Sequence, residues 1–458
     1  MSTHISGAVR RHRLAAAVLA SAIVVSGLGW VASAPVASAA SNAVIDWNAV
    51  AGQAARDACL SPDNDPLHEA RMYAIAHIAI HDALNAIDRR YEPYTYDVQA
   101  PAGSSEAAAV AAAARSALVA VLLDLPSELF PPACGAAGIA TVEAAYTAAL
   151  AAIPDGLAKS QGVAVGEAAA TAIVALRSND HANDAPLVDV DYPQGTEPGE
   201  YKFTPGFGFA FAPKWGSVTP FALADSSQFA SGPPYPLSSK RYAEDFNEVK
   251  AFGALEDSER SAEQTQIAKF WVESSPLAWN RMARTIAVGR GLDMWESARL
   301  FGLLNMGMTD GYIGTFQEKY VYNFWRPVTA IRAAATDGNG DTDADPDWLP
   351  LMPTPPIPDH DSGHSVEGGV AATIMRQVFG TDKVTFAVCS FSLGAGERCD
   401  AASPVMRHFT RISDAADENG ESRILVGFHF RHAVVDGIAH GKHIGNWTVG
   451  HYMQPVDG

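Results

Sequence analysis

Between Pro356 and Gly369 the chain reads PIPDHDSGHSVEGG, a stretch too rich in Gly, Pro and charge for a strand or a helix interior. Its Ser362-Gly363-His364 core offers a hydroxyl, an unencumbered backbone N–H and an imidazole in consecutive positions. Upstream, KYVYNFWRPVTAIR carries Lys319 and Arg326 seven residues apart; two helical turns point both cations the same way if the helix runs to Pro327. Downstream, SRILVGFHFRHAVVDG carries Arg423 and His429 six apart, again roughly on one side. Two arginines, a lysine, two histidines, a Ser hydroxyl and a Gly amide suit a tetrahedral oxyanion with two or three negative charges. Arg forks onto oxygen pairs, and Gly lets the backbone approach. Each part alone has an ordinary reading: solvated helix charges for Lys319 and Arg326, a capped turn for Ser-Gly-His. The conjunction carries the argument.

Other polar clusters are weaker. DGNGDTDADPDW, residues 337–348, sets Asp337, Asn339, Asp341 and Asp343 at alternate positions, as a calcium loop does. Thr342 stands where an EF-hand needs its turn Gly and Trp348 where it needs its closing Glu, so a solvated acidic loop is the stronger reading and calcium a minor candidate cofactor. The pairs His429/His432 and His440/His443 lack a Cys, His or carboxylate partner at a recognisable zinc spacing. His77, His81 and Asp82, on one predicted helix, read as core or interface polar groups. Trp271, Trp279 and Trp325 read as core, with Trp325 placed beside Arg326 to help wall off a pocket.

The elements that must position these residues are mostly helices. EARMYAIAHIAIHDALNAIDRRY has apolar residues at helical spacing, and SSEAAAVAAAARSALVAVLLDL opens with Ser and Glu before its apolar run. A second helical block is predicted over about 238–322, and a third in HSVEGGVAATIMRQVFG and from Ser403 onward. Between the first two blocks lie roughly sixty residues of Pro, Gly, aromatics and acids without a period; a loop that long in a compact protein is functional or disordered, and its aromatics argue that it packs. The expected fold is all-α, with helical layers joined by a long ordered crossover. One large helical domain is expected over 40–458: an N-terminal helical half at about 45–177, the crossover at about 178–237, and a C-terminal half carrying the site at about 238–454.

Residues 1–39 read as a signal peptide: three arginines precede an apolar run that ends near Ala37-Ser38-Ala39, a small-x-small cleavage pattern. Arg10-Arg11 leaves the choice between the general and twin-arginine export routes open. Removing the peptide's three arginines and no acid takes the formal charge from −19 to −22. Such a surface repels nucleic acid and anionic membranes. The most apolar later stretch, 107–125, is interrupted by Arg115, so no stable membrane anchor is expected and the product should be a soluble secreted protein. Four cysteines suit an oxidising compartment. Of three pairings, Cys389–Cys399 with Cys59–Cys134 is favoured, because the first closes a short Gly-containing loop and leaves both others in the N-terminal segment. An oligomer is compatible with the sequence.

The three blocks resemble the signature of the vanadium-dependent haloperoxidases and their relatives, the acid phosphatases and type 2 phosphatidic acid phosphatases: Lys319-x6-Arg326-Pro327, then Ser362-Gly363-His364, then Ser422-Arg423-x5-His429. NFWRPVTAIR, PLMPTPPIPDHDSGHS, GFHFRH, FWVESSPLAWN and AIAHIAIHDALNAI are similar to a bacterial haloperoxidase-like branch, so the resemblance covers most of the chain. It implies two four-helix bundles and vanadate as cofactor, with phosphate able to take the same place. It further implies that Lys319, Arg326 and Arg423 neutralise the equatorial oxygens while Ser362 and Gly363 add hydrogen bonds. His429 would bind vanadium apically and His364 serve as acid–base group. The partners implied are hydrogen peroxide, a halide and a small organic substrate. The phosphatase relatives imply an alternative on the same site, with His429 as nucleophile; a non-catalytic oxyanion binder is the third reading. Two positions depart from the family. Asp361 stands where Pro is usual, either lowering anion affinity or hydrogen-bonding a neighbour, and Ile357 stands where chloroperoxidase-type members carry an aromatic residue.

Overall fold

Helix α1 (Ala43–Asp57) opens on Asn42, whose side-chain oxygen accepts the Val44 amide, and α2 (Pro66–Ile87) opens on Asp65, which accepts from Leu67 and His68 ahead of Pro66 in the first turn. The computed structural model describes residues 42–456 apart from 63, 127–130 and 185; the predicted signal peptide lies outside them. From Asn42 the chain forms one compact unit. The N-terminal half continues with α3 (Glu106–Leu123), α4 (Pro132–Ala151) and α5 (Leu157–Leu176). After the crossover come α6 (Lys240–Gly253), α7 (Ala262–Phe270), α8 (Ser275–Arg290), α9 (Met294–Tyr322) and α10 (Pro327–Ala333). The last three are α11 (Gly363–Phe379), α12 (Ile412–Leu425) and α13 (Arg431–His451).

Helices α2 and α9 are buried around nearly their whole circumference and pack on each other. A helix apolar all round belongs in the middle of a large core. On one side α3 and α5 join α2, with α1 and α4 against them; on the other, α11 and α13 join α9, with α12 against α11. Helices α11 and α13 make the most extensive pairing of the second group, together with α3 and α5 in the first. Glycines set their approach: a Cβ on Gly441 would lie 2.0 Å from the Val366 carbonyl oxygen, and one on Gly437 would lie 2.8 Å from that of Ser362. His77 and Asn48 contact at 2.7 Å, and Asp82 accepts the amides of Tyr94, Thr95 and Tyr96, so these are buried structural polar groups. Trp271 and Trp279 lie in the main core.

The crossover is ordered. Two-residue strands β1 (Val188–Asp189) and β2 (Ala210–Phe211) pair antiparallel. Asp310 of α9 accepts the amides of Phe221, Ala222 and Leu223 at 2.6, 2.7 and 2.9 Å, and Tyr201, Trp215 and Phe221 are buried. Two features differ from expectation. The segment after Ser403 begins with a strand, β4 (Arg407–Arg411), which pairs antiparallel with β3 (Lys383–Val388). β-branched and aromatic residues favour that pairing, and the Phe386 and Phe409 rings meet across it at 5.4 Å. In addition α4, like α3, is long and apolar enough by composition to cross a membrane. Helix α3 is mostly buried, whereas α4 lies on the outside, tied to the end of α1 by Cys59–Cys134. Cys389 and Cys399 form the second disulfide.

Candidate functional site

Lys319 lies in the last turn of α9, which stops at Tyr322 because Asn323 turns left-handed (φ 47°). The chain is extended at Arg326, which precedes Pro327 at the start of α10. The helix therefore does not run to Pro327: the two cations converge across a break. Arg423 and His429 are likewise separated, because α12 ends at Leu425 and Gly427 (φ 86°) reverses the chain. Alanine there would be strained by its φ and would put Cβ 2.7 Å from the Gly253 carbonyl oxygen. Ser362 and Gly363 begin α11, and the Ser362 amide donates to Ala433 of α13 at 2.9 Å.

Buried Lys319 donates from Nζ to the carbonyls of Pro358 (3.1 Å), Asp359 (2.9 Å) and Asp361. Arg326 donates from Nε to Ile357 (2.6 Å) and from one terminal nitrogen to Phe428 (2.8 Å). The same nitrogen lies 2.9 Å from His429 Nε2. A guanidinium can only donate, so that ring nitrogen carries the lone pair. The other ring nitrogen, Nδ1, lies 3.3 Å from the same Arg326 nitrogen and 2.9 Å from the Asp359 carboxylate, whose oxygen there has no hydrogen-bond partner. Arg423 Nε meets Ser422 Oγ at 3.1 Å, while its Nη2 is buried without a partner. His364 donates from Nε2 to the Glu273 carbonyl at 3.2 Å, leaving Nδ1 as its basic nitrogen.

Electrostatics show the same convergence. Burial, then Arg326, Lys319, Arg423 and His364, push His429 well below the ordinary histidine range. Burial, then Arg423, does the same to His364. Burial, then Arg326, pushes Lys319 down to about 7 and Arg423 down to about 9. Burial raises the Asp359 carboxyl to about 7. The structure thus gathers Lys319, Arg326, Ser362, Gly363, His364, Arg423 and His429 in one buried, cation-rich place. An oxyanion fits it: Arg423 Nη2 lacks an acceptor, Ser362 does not use its side chain to cap α11, and a Cβ on Gly363 would come no closer than 3.8 Å to another side chain. The first-turn amides of α11 add the donor end of a helix dipole.

One carboxylate, Asp359, escaped the sequence reading, and a second, Asp361, takes one of the two roles that the sequence left open. Asp359 sits behind His429, and its only signal was its place three residues before Ser362. Asp361 turns away from the cradle: its carboxylate accepts from His440 Nδ1 at 2.9 Å, with Glu318 at 3.5 Å from the same nitrogen. Burial would raise Asp361, but the hydrogen bond and charge of His440 hold it below its ordinary value. It therefore hydrogen-bonds a neighbour and presents only its carbonyl, to Lys319. Ile357 packs against the cluster that includes Tyr312 and Phe316, and Trp325 is buried among Val328, Phe430 and their neighbours beside Arg326. Asp337, Asn339, Asp341 and Asp343 are not gathered into one ligand set. Asp337 accepts from the Asn339 amide and from Thr342, Asn339 accepts from the Asp341 amide, and the Asn339 side chain donates to Leu237.

Residues 299–458 match the family model described as the VCPO second helical-bundle domain. The vanadium chloroperoxidase of Curvularia inaequalis is 26% identical over 280 residues, which is 48% of this chain; the chain matches 45% of that relative's length. Among solved structures, a bacterial vanadium-dependent iodoperoxidase aligns with a TM-score of 0.70 at 22% identity, covering 90% of this chain and 97% of that one. An apo-type bacterial vanadium-dependent chloroperoxidase aligns at 0.67 and 17% identity, covering 85% and 94%. The structural likenesses establish the fold. With the domain match and the fungal relative, they support the vanadium haloperoxidase family.

Proposed function

We propose that this vanadium-haloperoxidase-like chain is an exported vanadate-dependent haloperoxidase that uses hydrogen peroxide to oxidise a halide, which then modifies a small organic substrate. The observation that carries the reading is a buried His429 set among three buried cations, Lys319, Arg326 and Arg423. Lys319, Arg326, Arg423, Ser362 and the Gly363 amide would hold the vanadate oxygens, and His429 Nε2 would hold the metal. Bound vanadate supplies a Lewis acid that polarises peroxide toward halide without itself changing oxidation state. Asp359, 2.9 Å from His429 Nδ1, would orient the ring by accepting its proton, as carboxylates behind metal-bound histidines do. His364, held through Nε2, uses Nδ1 to take and return the peroxide proton. The arginine-bearing N-terminus and the two disulfides support export.

The test is bromination of a phenolic dye by metal-stripped protein resupplied with orthovanadate and peroxide, with phosphate-ester hydrolysis in parallel. Vanadate-dependent bromination is expected. His429→Ala should lose vanadate retention, while His364→Ala should retain vanadate and lose about 100-fold or more in turnover. Ester hydrolysis that vanadate blocks, without bromination, would establish the phosphatase alternative, which the same His429–Asp359 pair would serve by orienting a nucleophilic imidazole.

A further inference from the structure

Beside the oxyanion cradle two imidazoles and a carboxylate face one another. His432 and Asp436 are four residues apart on one face of α13, with His432 Nε2 3.3 Å from Asp436 Oδ2. His360, from the loop before α11, brings its Nε2 to 3.8 Å from the same oxygen. All three donor atoms lie within 4.8 Å of one another. Nitrogen and oxygen ligands held about 2.0–2.2 Å from a tetrahedral ion stand roughly 3.3–3.6 Å apart; His432 and Asp436 have that spacing, and His360 stands slightly wider, at 3.8 Å from the same oxygen.

Both rings are fixed by packing. His432 stacks on Tyr235 with centroids 3.7 Å apart and planes 8° from parallel, and His360 meets Tyr322 edge-on at 5.5 Å. Without an ion the two Nε2 atoms donate to the carbonyls of Gly232 and Pro233 at 2.9 and 3.3 Å, so a metal binding there moves each ring proton to Nδ1. A narrow cleft is lined by Pro234, Tyr235, His360 and His432, and Asp436 keeps 23% of its side-chain exposure. Burial holds His360 neutral, pushed down to about 4, as a metal-binding imidazole must be.

We propose that His360, His432 and Asp436 form a binding site for a divalent first-row transition-metal ion of the zinc type. Two imidazoles and one carboxylate disfavour calcium and magnesium, which take oxygen ligands. The sequence set His432 aside because its partners are not recognisable by spacing; folding brings them from the preceding loop and the next turn. In the neighbouring buried Glu318–Asp361–His440 cluster, His440 is instead committed to Asp361 by a hydrogen bond from Nδ1. An ion on His360, two residues before Ser362, ties the cradle loop to α13.

Calorimetric titration of Zn2+ into chelator-stripped full-length protein, with the cradle filled by sulfate, tests this, and Co2+ absorption reports the ligand field. One equivalent should bind. His432→Gln and Asp436→Asn should each weaken binding by at least about tenfold and remove the Co2+ bands, with circular dichroism showing the fold retained. His440→Gln should leave the stoichiometry and affinity unchanged. Absence of saturable Zn2+ binding, binding that survives both His432→Gln and Asp436→Asn, or binding lost with His440→Gln each overturns the assignment.

Discussion

At the scale of single residues, Lys319 links the cradle to pH. Burial, and next Arg326, push its ammonium down to about 7, against an unfolded value near 10.4. Between those values the unfolded chain binds more protons than the folded one, so this residue's contribution to stability is full above the unfolded value and is lost as pH falls toward 7. An oxyanion beside the ammonium favours its charged form, so binding above pH 7 takes up a proton. Sulfate, whose charge is fixed in this range, should bind more weakly as pH rises from 7 to 9, by up to about tenfold per unit for one proton. Lys319→Arg should flatten that profile, because guanidinium stays protonated. Calorimetry in buffers of different ionisation enthalpy measures the proton directly, and zero uptake at pH 8 would mean Lys319 is already charged. The cations themselves were legible from residue type and spacing. Asp359 was not, and for Asp361 the sequence left two roles open: a carboxylate near a cationic motif has no sequence mark to show whether it faces the anion, lies by a histidine or pairs elsewhere, and here the neighbours His429 and His440 come from far along the chain.

At the scale of elements, the helices were legible because alanine-rich apolar spacing and Ser, Asp and Asn caps act locally. The breaks at Asn323 and Gly427 were not, although they aim Arg326 and His429; a left-handed residue is chosen by what it lets the chain reach. Equally hidden was the function of glycine in α13. Gly437 lets that helix lie on the Ser362 backbone: a Cβ there would stand 2.8 Å from the Ser362 carbonyl oxygen and 3.0 Å from Ser365 Cβ. Gly437→Ala should therefore cost roughly 1–3 kcal/mol through overpacking and weaken sulfate binding by displacing the start of α11. Gly450, on the same helix with nothing within 4 Å of an added Cβ, is the control. Gly450→Ala should stabilise by up to about 1 kcal/mol from helix propensity and leave binding unchanged. Thermal unfolding and calorimetry separate the two; equal effects would remove the close approach of α13 as the cause.

At the scale of the whole molecule, the two disulfides act on different parts. Cys59–Cys134 closes a separation of 75 residues between the ends of α1 and α4, and α4 buries only Gly138 and Val142. Chain entropy makes it the larger stabiliser, about 4 kcal/mol against about 3 for the short Cys389–Cys399 loop, separated by 10 residues. Yet the short loop reaches the chemistry. The Cys389 carbonyl accepts from Arg281 at 2.8 Å, Arg281 pairs with the Glu273 carboxylate, and the Phe391 amide donates to that carboxylate at 3.2 Å. The Glu273 carbonyl in turn receives His364 Nε2. The Cys389–Cys399 loop therefore braces His364, the proposed acid–base group, whereas α4 packs against α1 and α3. Cys134→Ser should lower the unfolding temperature more and leave turnover per folded molecule near wild type, with amide exchange rising first along α4. Cys399→Ser should lower the unfolding temperature less and reduce turnover, with vanadate affinity retained because His364 is not among the residues that hold the anion. If both variants lose turnover in proportion to stability, the path from Cys389 through Arg281 and Glu273 does not orient His364, and its ring is held by α11 alone.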